Sequence, residues 1–313
     1  MKNVITIGEA MGLFVADELG SLTEVDHYTR YSAGAEMNVA IGLARLGLAS
    51  YYVTQLGADP IGKYLKKSME KEKIQTDFVF FTDHAQTGFM IKEKVLEGDP
   101  LVFSYRTGSA ASKFTKGLLK DLDFSIFNHI HLSGIFLALS KETKEVSHYF
   151  LEMAKKYNIR VTFDPNLRPG LWRSEEEMIS TINNFMYKCE IILPGITEGQ
   201  LLSGLKSPKE IAEYYLNKGV QTVIIKLGAE GAYVQAKDVD GFYINSYKVD
   251  KIVDTVGAGD GFAVGIISAL VENLSLKEAV RRAAAIGALQ VMSPGDNDGL
   301  PNKEQLKEFM NLY

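Results

Sequence analysis

The feature that most constrains this chain is a repeated unit: a short, largely apolar run, a glycine at or near its end, and then a helical pattern. The runs are Val4–Ile7, Tyr51–Leu56, His129–Leu132, Arg160–Phe163, Ile191–Leu193 and Thr222–Lys226. Strands covered on both faces lose the polar alternation of a half-exposed sheet, so these read as members of a buried, mainly parallel sheet. Between the runs, Met37, Ala40, Ile41 and Ala44 recur at helical spacing, as do Val146, Phe150 and Met153. Strand and helix in alternation predict a three-layer α/β/α sandwich that binds ligands at the carboxyl ends of its strands. With 313 residues and 46% hydrophobic content, the chain has enough apolar material for such a core.

Two stretches break that rhythm, at about 12–32 and 87–105. In the second, Thr87, Phe89 and Ile91 alternate with Gly88, Met90 and Lys92, and Leu101, Phe103 and Tyr105 repeat the same period of two. A small β-sheet inserted beside the main one accounts for both stretches. Such an insert suits a lid over a site or a surface for homo-oligomers, because its edge strands need cover. No repeat, low-complexity segment or linker divides the rest, so residues 1–313 read as one domain.

Charge and cysteine content exclude several classes. The net charge is −5, with no Lys/Arg cluster, so no nucleic-acid partner is expected. Cys189 is the only cysteine, which rules out an intrachain disulfide and suits a reducing compartment. The start, Met1-Lys2-Asn3-Val4-Ile5, reads as a strand rather than a signal peptide, and no apolar run reaches the roughly 18 residues of a membrane span. A cytoplasmic protein with no membrane partner is expected. The histidines, including His129 and His131 on one strand face, have no metal-binding spacing and read as packing residues.

The most informative segment is Asp254-Thr255-Val256-Gly257-Ala258-Gly259-Asp260-Gly261-Phe262, followed by helical Ala263–Val271. Small residues at a helix start let backbone N–H groups converge, and with the helix dipole they make an anion hole of Gly257, Ala258 and Gly259. Asp260 falls in the first turn beside that hole. A carboxylate next to a phosphate is unfavourable unless it accepts the proton of an attacking hydroxyl, the task of a base in phosphoryl transfer. The same residues also fit a plain glycine turn with Asp260 as an N-cap. Gly57-Ala58-Asp59-Pro60-Ile61-Gly62-Lys63-Tyr64 has P-loop spacing, but Tyr64 replaces the magnesium-binding Ser/Thr and Pro60 removes a cradle N–H, so it reads as a structural turn.

Other segments allow two readings each. Ser32-Ala33-Gly34-Ala35-Glu36-Met37-Asn38 precedes a helix. Gly34 permits close approach of a ligand and Asn38 offers a donor and an acceptor, yet a capping segment fits equally. Lys226-Leu227-Gly228-Ala229-Glu230-Gly231 suits a hairpin or the floor of a nucleotide site. Arg106 and Arg168 stand at strand–loop junctions, where guanidinium forks suit carboxylate or phosphate, although surface arginines are commonly only solvated.

Taken together, these segments resemble the PfkB (ribokinase-like) family of carbohydrate kinases almost end to end. The Gly34–Gly62 region, with Gly57-x-Asp59-x-x-Gly62, is similar to its first signature. Asp254-Thr255-x-Gly257-Ala258-Gly259-Asp260-x-Phe262 is similar to its second. The resemblance implies a Rossmann-like sandwich with a small β lid, Asp260 as base, Gly257 to Gly259 as anion hole, and Lys226, Gly228 and Gly231 at the ATP. Within the family, Ala33-Gly34-Ala35-Glu36-x-Asn38, Tyr105-Arg106-x-Gly108-Ser109-Ala110, Phe163-Asp164-x-Asn166-x-Arg168 and Gly295-Asp296-Asn297 are most similar to the branch acting on 2-keto-3-deoxygluconate. That implies substrate contacts from Gly34, Asn38, Phe89, Tyr105, Arg106, Arg168 and Asp296. It also implies ATP and Mg²⁺, and leaves the need for a monovalent cation open.

Two departures bear on this. Gly195-Ile196-Thr197-Glu198 keeps the glutamate of the family's Asn-x-x-Glu but not its asparagine, so Glu198 is the candidate for ordering Mg²⁺ through water. Phe89 and Ser104 stand where these kinases often carry tyrosines that bond substrate hydroxyls. The alternatives are a fructokinase or other sugar or nucleoside kinase, and a catalytically silent nucleotide- or sugar-binding regulator.

Overall fold

The computed structural model describes residues 2–95, 100–249, 251–293 and 295–312. The first half runs β1 (Asn3–Ile7), β2 (Met11–Leu19), β3 (Tyr28–Ala33), α1 (Ala35–Arg45), β4 (Ala49–Gly57), α2 (Pro60–Lys71), β5 (Val79–Thr82), β6 (Phe89–Lys94), β7 (Val102–Tyr105), β8 (His129–Ser133), α3 (Gly134–Ala138) and α4 (Lys141–Tyr157). Then follow β9 (Arg160–Asp164), α5 (Glu175–Met186), β10 (Ile191–Ile192), α6 (Ile196–Ser203), α7 (Pro208–Asn217), β11 (Thr222–Lys226), β12 (Ala232–Ala236), β13 (Val239–Ile244), α8 (Ala258–Val271), α9 (Leu276–Val291) and α10 (Lys303–Asn311).

The main sheet has nine strands in the order β13-β12-β11-β10-β9-β8-β1-β4-β5. It is parallel from β11 to β5; β12 pairs antiparallel with both β11 and β13, so β12 alone runs against the other eight strands. Its six apolar runs each supply a parallel strand, and adjacent residues of one strand enter opposite cores. Val4, Ile191 and Ile224 join the core beneath α1, α8 and α9, whereas Ile5, Ile192, Val223 and Ile225 join the one beneath α4, α5 and α7. That two-sided burial is why these strands carry no polar alternation. The fold is therefore the expected three-layer α/β/α sandwich. Sequence periodicity missed β5 and β13, whose exposed residues dilute the apolar signal, and also the short, largely buried β12. The segment from Lys226 to Ala232 forms a hairpin, with β11 and β12 antiparallel.

The two stretches that broke the rhythm supply β2, β3, β6 and β7, which form a second, mixed sheet in the order β3-β2-β6-β7. Residues 96–99 of the second stretch lie outside the described residues. The P-loop-like segment is the structural joint between the sheets. Asp59 caps α2 by accepting from Gly62 N (2.8 Å) and also accepts from Thr87 N (2.7 Å), while Thr87 Oγ1 accepts from Gly57 N (2.9 Å). His129 and His131 are buried against Thr162 Oγ1, at 3.0 and 2.9 Å, as packing residues. Among the described residues no helix is long and apolar enough to cross a membrane.

Candidate active site

The carboxyl ends of β9 and β11, the first turns of α1, α6 and α8, and the inner face of the small sheet surround one cleft of about 600 Å³. Its centre is the start of α8. Gly257 is the N-cap, with φ 77°, and a Cβ there would run into the Asp296 carbonyl, so only glycine fits. Gly257 and Gly259 lie on the cleft wall, and a Cβ on Gly259 would sit 3.5 Å from Lys226 Nζ. Ala258 does not line the cleft, and its N–H turns back toward Thr255 O at 3.4 Å. The expected anion hole thus presents its two glycines at the wall, at a helix end whose amides lack intrahelical acceptors.

Asp260 is the third residue of α8, not its cap, so the plain-turn reading does not describe it. It is 9% exposed, faces the cleft, and accepts from Asn38 Nδ2 at 2.8 Å. Burial pushes its pKa up to about 8. The Asn38 hydrogen bond and the Lys226 ammonium oppose that rise, and the Asp164 and Glu36 carboxylates add to it. A carboxyl titrating near neutrality is matched to taking and returning a proton.

Lys226 at the end of β11 donates to Asp164 Oδ2 at 2.6 Å. Burial works to discharge Lys226, but the Asp164 and Glu198 carboxylates outweigh it and hold its pKa above the usual lysine value. Glu198, in the first turn of α6, lines the cleft and accepts from Leu167 N and Gly195 N, each at 2.7 Å. Among the described residues no cluster of three or more His, Cys, Asp or Glu could hold a metal ion.

The two arginines separate. Arg168 lines the cleft mouth, exposed, and donates to its neighbour Leu167 O at 2.9 Å; among the described residues it forms no ion pair. Arg106 also lines the cleft, but its guanidinium is bound to Glu9 Oε2, with Nε at 2.7 Å and Nη2 at 2.5 Å. Glu9 is only 1% exposed, and Ser109 Oγ donates to its other oxygen. Arg106 is therefore first of all the counter-charge of a buried glutamate. Gly34 has φ 134° and stands against the Glu9 carbonyl, so a side chain there would collide with backbone. Asp296 lines the cleft; burial pushes its pKa up to about 6, against the pull of Lys92 and Arg168.

Besides Ala258, four expected site residues lie off the cleft wall. Phe89 and Tyr105 are cross-strand partners on the face of the small sheet turned away from the cleft, their rings stacked at 4.8 Å. Strand alternation decides this: Met90, Lys92, Val102, Ser104 and Arg106 have the parity that points inward. Gly228 and Gly231 are not on the cleft wall; they form the β11–β12 turn, where a Cβ on Gly231 would collide with Ile244 O.

Sequence reasoning assigned no role to Asp164, Glu9 or Lys92. Lys92 is 7% exposed on the inner face and pairs with Asp254 Oδ2 at 2.9 Å. For Asp164 the signal was present, as a charged residue ending an apolar strand. For Glu9 and Lys92 only the three-dimensional pairing reveals it.

A mainly parallel sheet, a glycine-rich helix start with a buried carboxyl at the cleft, and a second sheet opposite form the framework of a small-molecule kinase. The chain belongs to the pfkB family of carbohydrate kinases, whose pattern matches residues 1–303. It is similar to the 2-dehydro-3-deoxygluconokinase of Bacillus subtilis (strain 168), with 44% identity over 310 residues covering 99% of this chain and 95% of that one. Among solved structures it is similar to a PfkB protein from Polaromonas sp. JS666, with 39% identity, a TM-score of 0.90, and 98% and 99% of the two chains covered. A putative ribokinase II from E. coli, in complex with ATP and Mg²⁺, shares the fold at TM-score 0.92 and 23% identity, with both chains fully covered.

Proposed function

We propose that this protein transfers the γ-phosphoryl group of ATP to the primary hydroxyl of 2-keto-3-deoxygluconate, or a closely related keto-deoxy sugar acid, giving the 6-phosphate. The observation that carries this is Asp260, a buried carboxyl held within the cleft beside the Gly257–Gly259 turn and the Lys226 ammonium. In this reading Asp260 takes the hydroxyl proton as the oxygen attacks in line. The turn amides and Lys226 stabilise charge on the transferring oxygens. Arg168, in no close ion pair among the described residues although its charge acts on Asp296, receives the sugar-acid carboxylate, for which its planar fork is suited. The similarity to a 2-dehydro-3-deoxygluconokinase points to the same acceptor.

Magnesium fits this donor set as an ion carried by phosphates and water, since the cleft offers scattered carboxylates rather than a cage. Glu198 is the residue to order its water, and the ion supplies charge neutralisation between phosphates. The reading treats residues 1–313 as one kinase domain with the small sheet as lid, in the cytoplasm. We assign self-association to the outer face of that sheet, where Phe103 and Tyr105 are 53% and 55% exposed beside Phe89 and Ile91.

An ADP-release screen over keto-deoxy acids, hexoses, pentoses and nucleosides tests the activity. Turnover highest with a keto-deoxy acid is expected, and preference for a neutral sugar would reassign the acceptor. Sedimentation of Phe103→Glu should show loss of the dimer; an unchanged distribution removes the outer face as the interface.

A further inference from the structure

The Asn38 carboxamide lies between two groups that want opposite things from it. Its Nδ2 donates to Asp260 Oδ2 at 2.8 Å, and its Oδ1 accepts from Asn297 Nδ2 at 3.0 Å. Once ionised, as a base must be before it takes a proton, Asp260 only accepts and so needs the NH₂ end of Asn38. Asn297 presents its own NH₂, which also reaches Ser32 O at 3.3 Å. Turning Asn38 over would set oxygen against carboxylate and NH₂ against NH₂.

Asn297 is itself anchored. Its carbonyl accepts from Arg45 Nη1 at 2.7 Å, and Arg45 also holds Leu300 O at 2.9 Å and is gripped by both Glu72 oxygens at 2.8 Å. A continuous set of hydrogen bonds therefore runs from the Glu72–Arg45 pair through Asn297 and Asn38 to Asp260. Asn38 is on the cleft wall, whereas Asn297 is not.

We infer that Asn297 is a positioning residue for phosphoryl transfer: it fixes the Asn38 amide so that its NH₂ end always faces Asp260, holding one carboxylate oxygen and leaving the other for the acceptor hydroxyl. This rests on Asp260 being the base. A donor aimed at the carboxylate favours its charged form. The other charged groups facing Asp260 are Asp164 of β9, Lys226 of β11 and Glu36 of α1, so Asn38 works against two carboxylates with the help of one ammonium.

The test is the pH dependence of kcat in Asn297→Leu, which removes the donor without adding charge, and in Asn297→Asp, which replaces donor by acceptor. Both should move the acid limb upward, Asn297→Leu by about half a unit and Asn297→Asp by about one, with kcat recovering toward the wild-type value at high pH. Profiles that overlay the wild type, a loss equal at every pH, or a shift confined to Asn297→Asp would overturn the inference. Should Asn297→Leu fail to fold, Asn297→Ala takes its place with the same readout. Asp260→Asn measured alongside separates the two claims: retained turnover there sinks the base assignment, while an inactive Asp260→Asn with unshifted Asn297 profiles sinks only the positioning role.

Discussion

The two walls of the cleft are built by different rules. On the main-sheet side, position is set by backbone: Gly257 must be glycine because of its φ and the Asp296 carbonyl against it, and Asp260, three residues on, follows by helix geometry. On the small-sheet side, position is set by side-chain parity: Arg106 faces in and Tyr105 faces out because they are neighbours on a strand edge. The charges differ as well. Lys226 meets Asp164 within the cleft, whereas Arg106 is committed to a glutamate buried behind it. On the proposed reading one wall serves the chemistry, and the other must first keep itself folded.

That contrast breaks if removing the proposed base leaves catalysis intact. Asp260→Asn should lower kcat by about 10²–10⁴-fold, the usual contribution of a positioned base, in steady-state assays at saturating substrates. The same variant has a stability signature. Because the folded pKa of Asp260, about 8, lies above the ordinary 3.8, its stabilising contribution is complete below pH 4 and is lost as pH rises toward 8. Asp260→Asn should therefore be more stable than the parent at neutral pH, by about 1–3 kcal/mol, and equal to it near pH 3–4. Equal denaturation midpoints at pH 7.5 would mean the carboxyl is not buried as described.

The opposite wall should answer first in stability. Arg106→Ala strands Glu9, and loss of one partner of a buried ion pair costs about 3–5 kcal/mol. Arg168→Ala strands nothing. Its effect should fall on KM for the sugar acid, raised about 10–100-fold, as for a lost charge-assisted hydrogen bond, with the melting temperature within a degree or two of the parent. If Arg168→Ala instead unfolds the protein while Arg106→Ala only raises KM, the division of roles between the two guanidinium groups is reversed.

How much of this was legible depended on which rule applied. The sandwich could be read because strands such as Val4–Ile7 are buried on both faces and are apolar at three of four positions. The tight helix start could be read because glycine at 257 is a backbone demand written in the sequence, whereas at 259 the backbone makes no such demand. The small sheet announced itself by period two, but the pattern gave two faces without saying which looked inward. The register of β2 on β6 and β6 on β7 settles that, with Lys92, a charged residue, on the inner face. Glu9 and Arg106, 97 positions apart, have no local signal at all.

The finest test of the parity argument uses residues expected to do almost nothing. Phe89→Leu and Tyr105→Leu lie on the outer face, so kcat and KM for the acceptor should stay within about twofold of the parent, at a stability loss of about 1 kcal/mol from the stacked pair. Ser104, one position from Tyr105, faces the cleft, and Ser104→Leu places a bulky apolar group there. That change should raise KM for the acceptor about tenfold, the scale of one misfitted group in a binding pocket, with KM for ATP unaltered. If Tyr105→Leu raises KM and Ser104→Leu does not, the register of β7 in the working enzyme is offset by one residue, and every inward assignment on that strand changes with it.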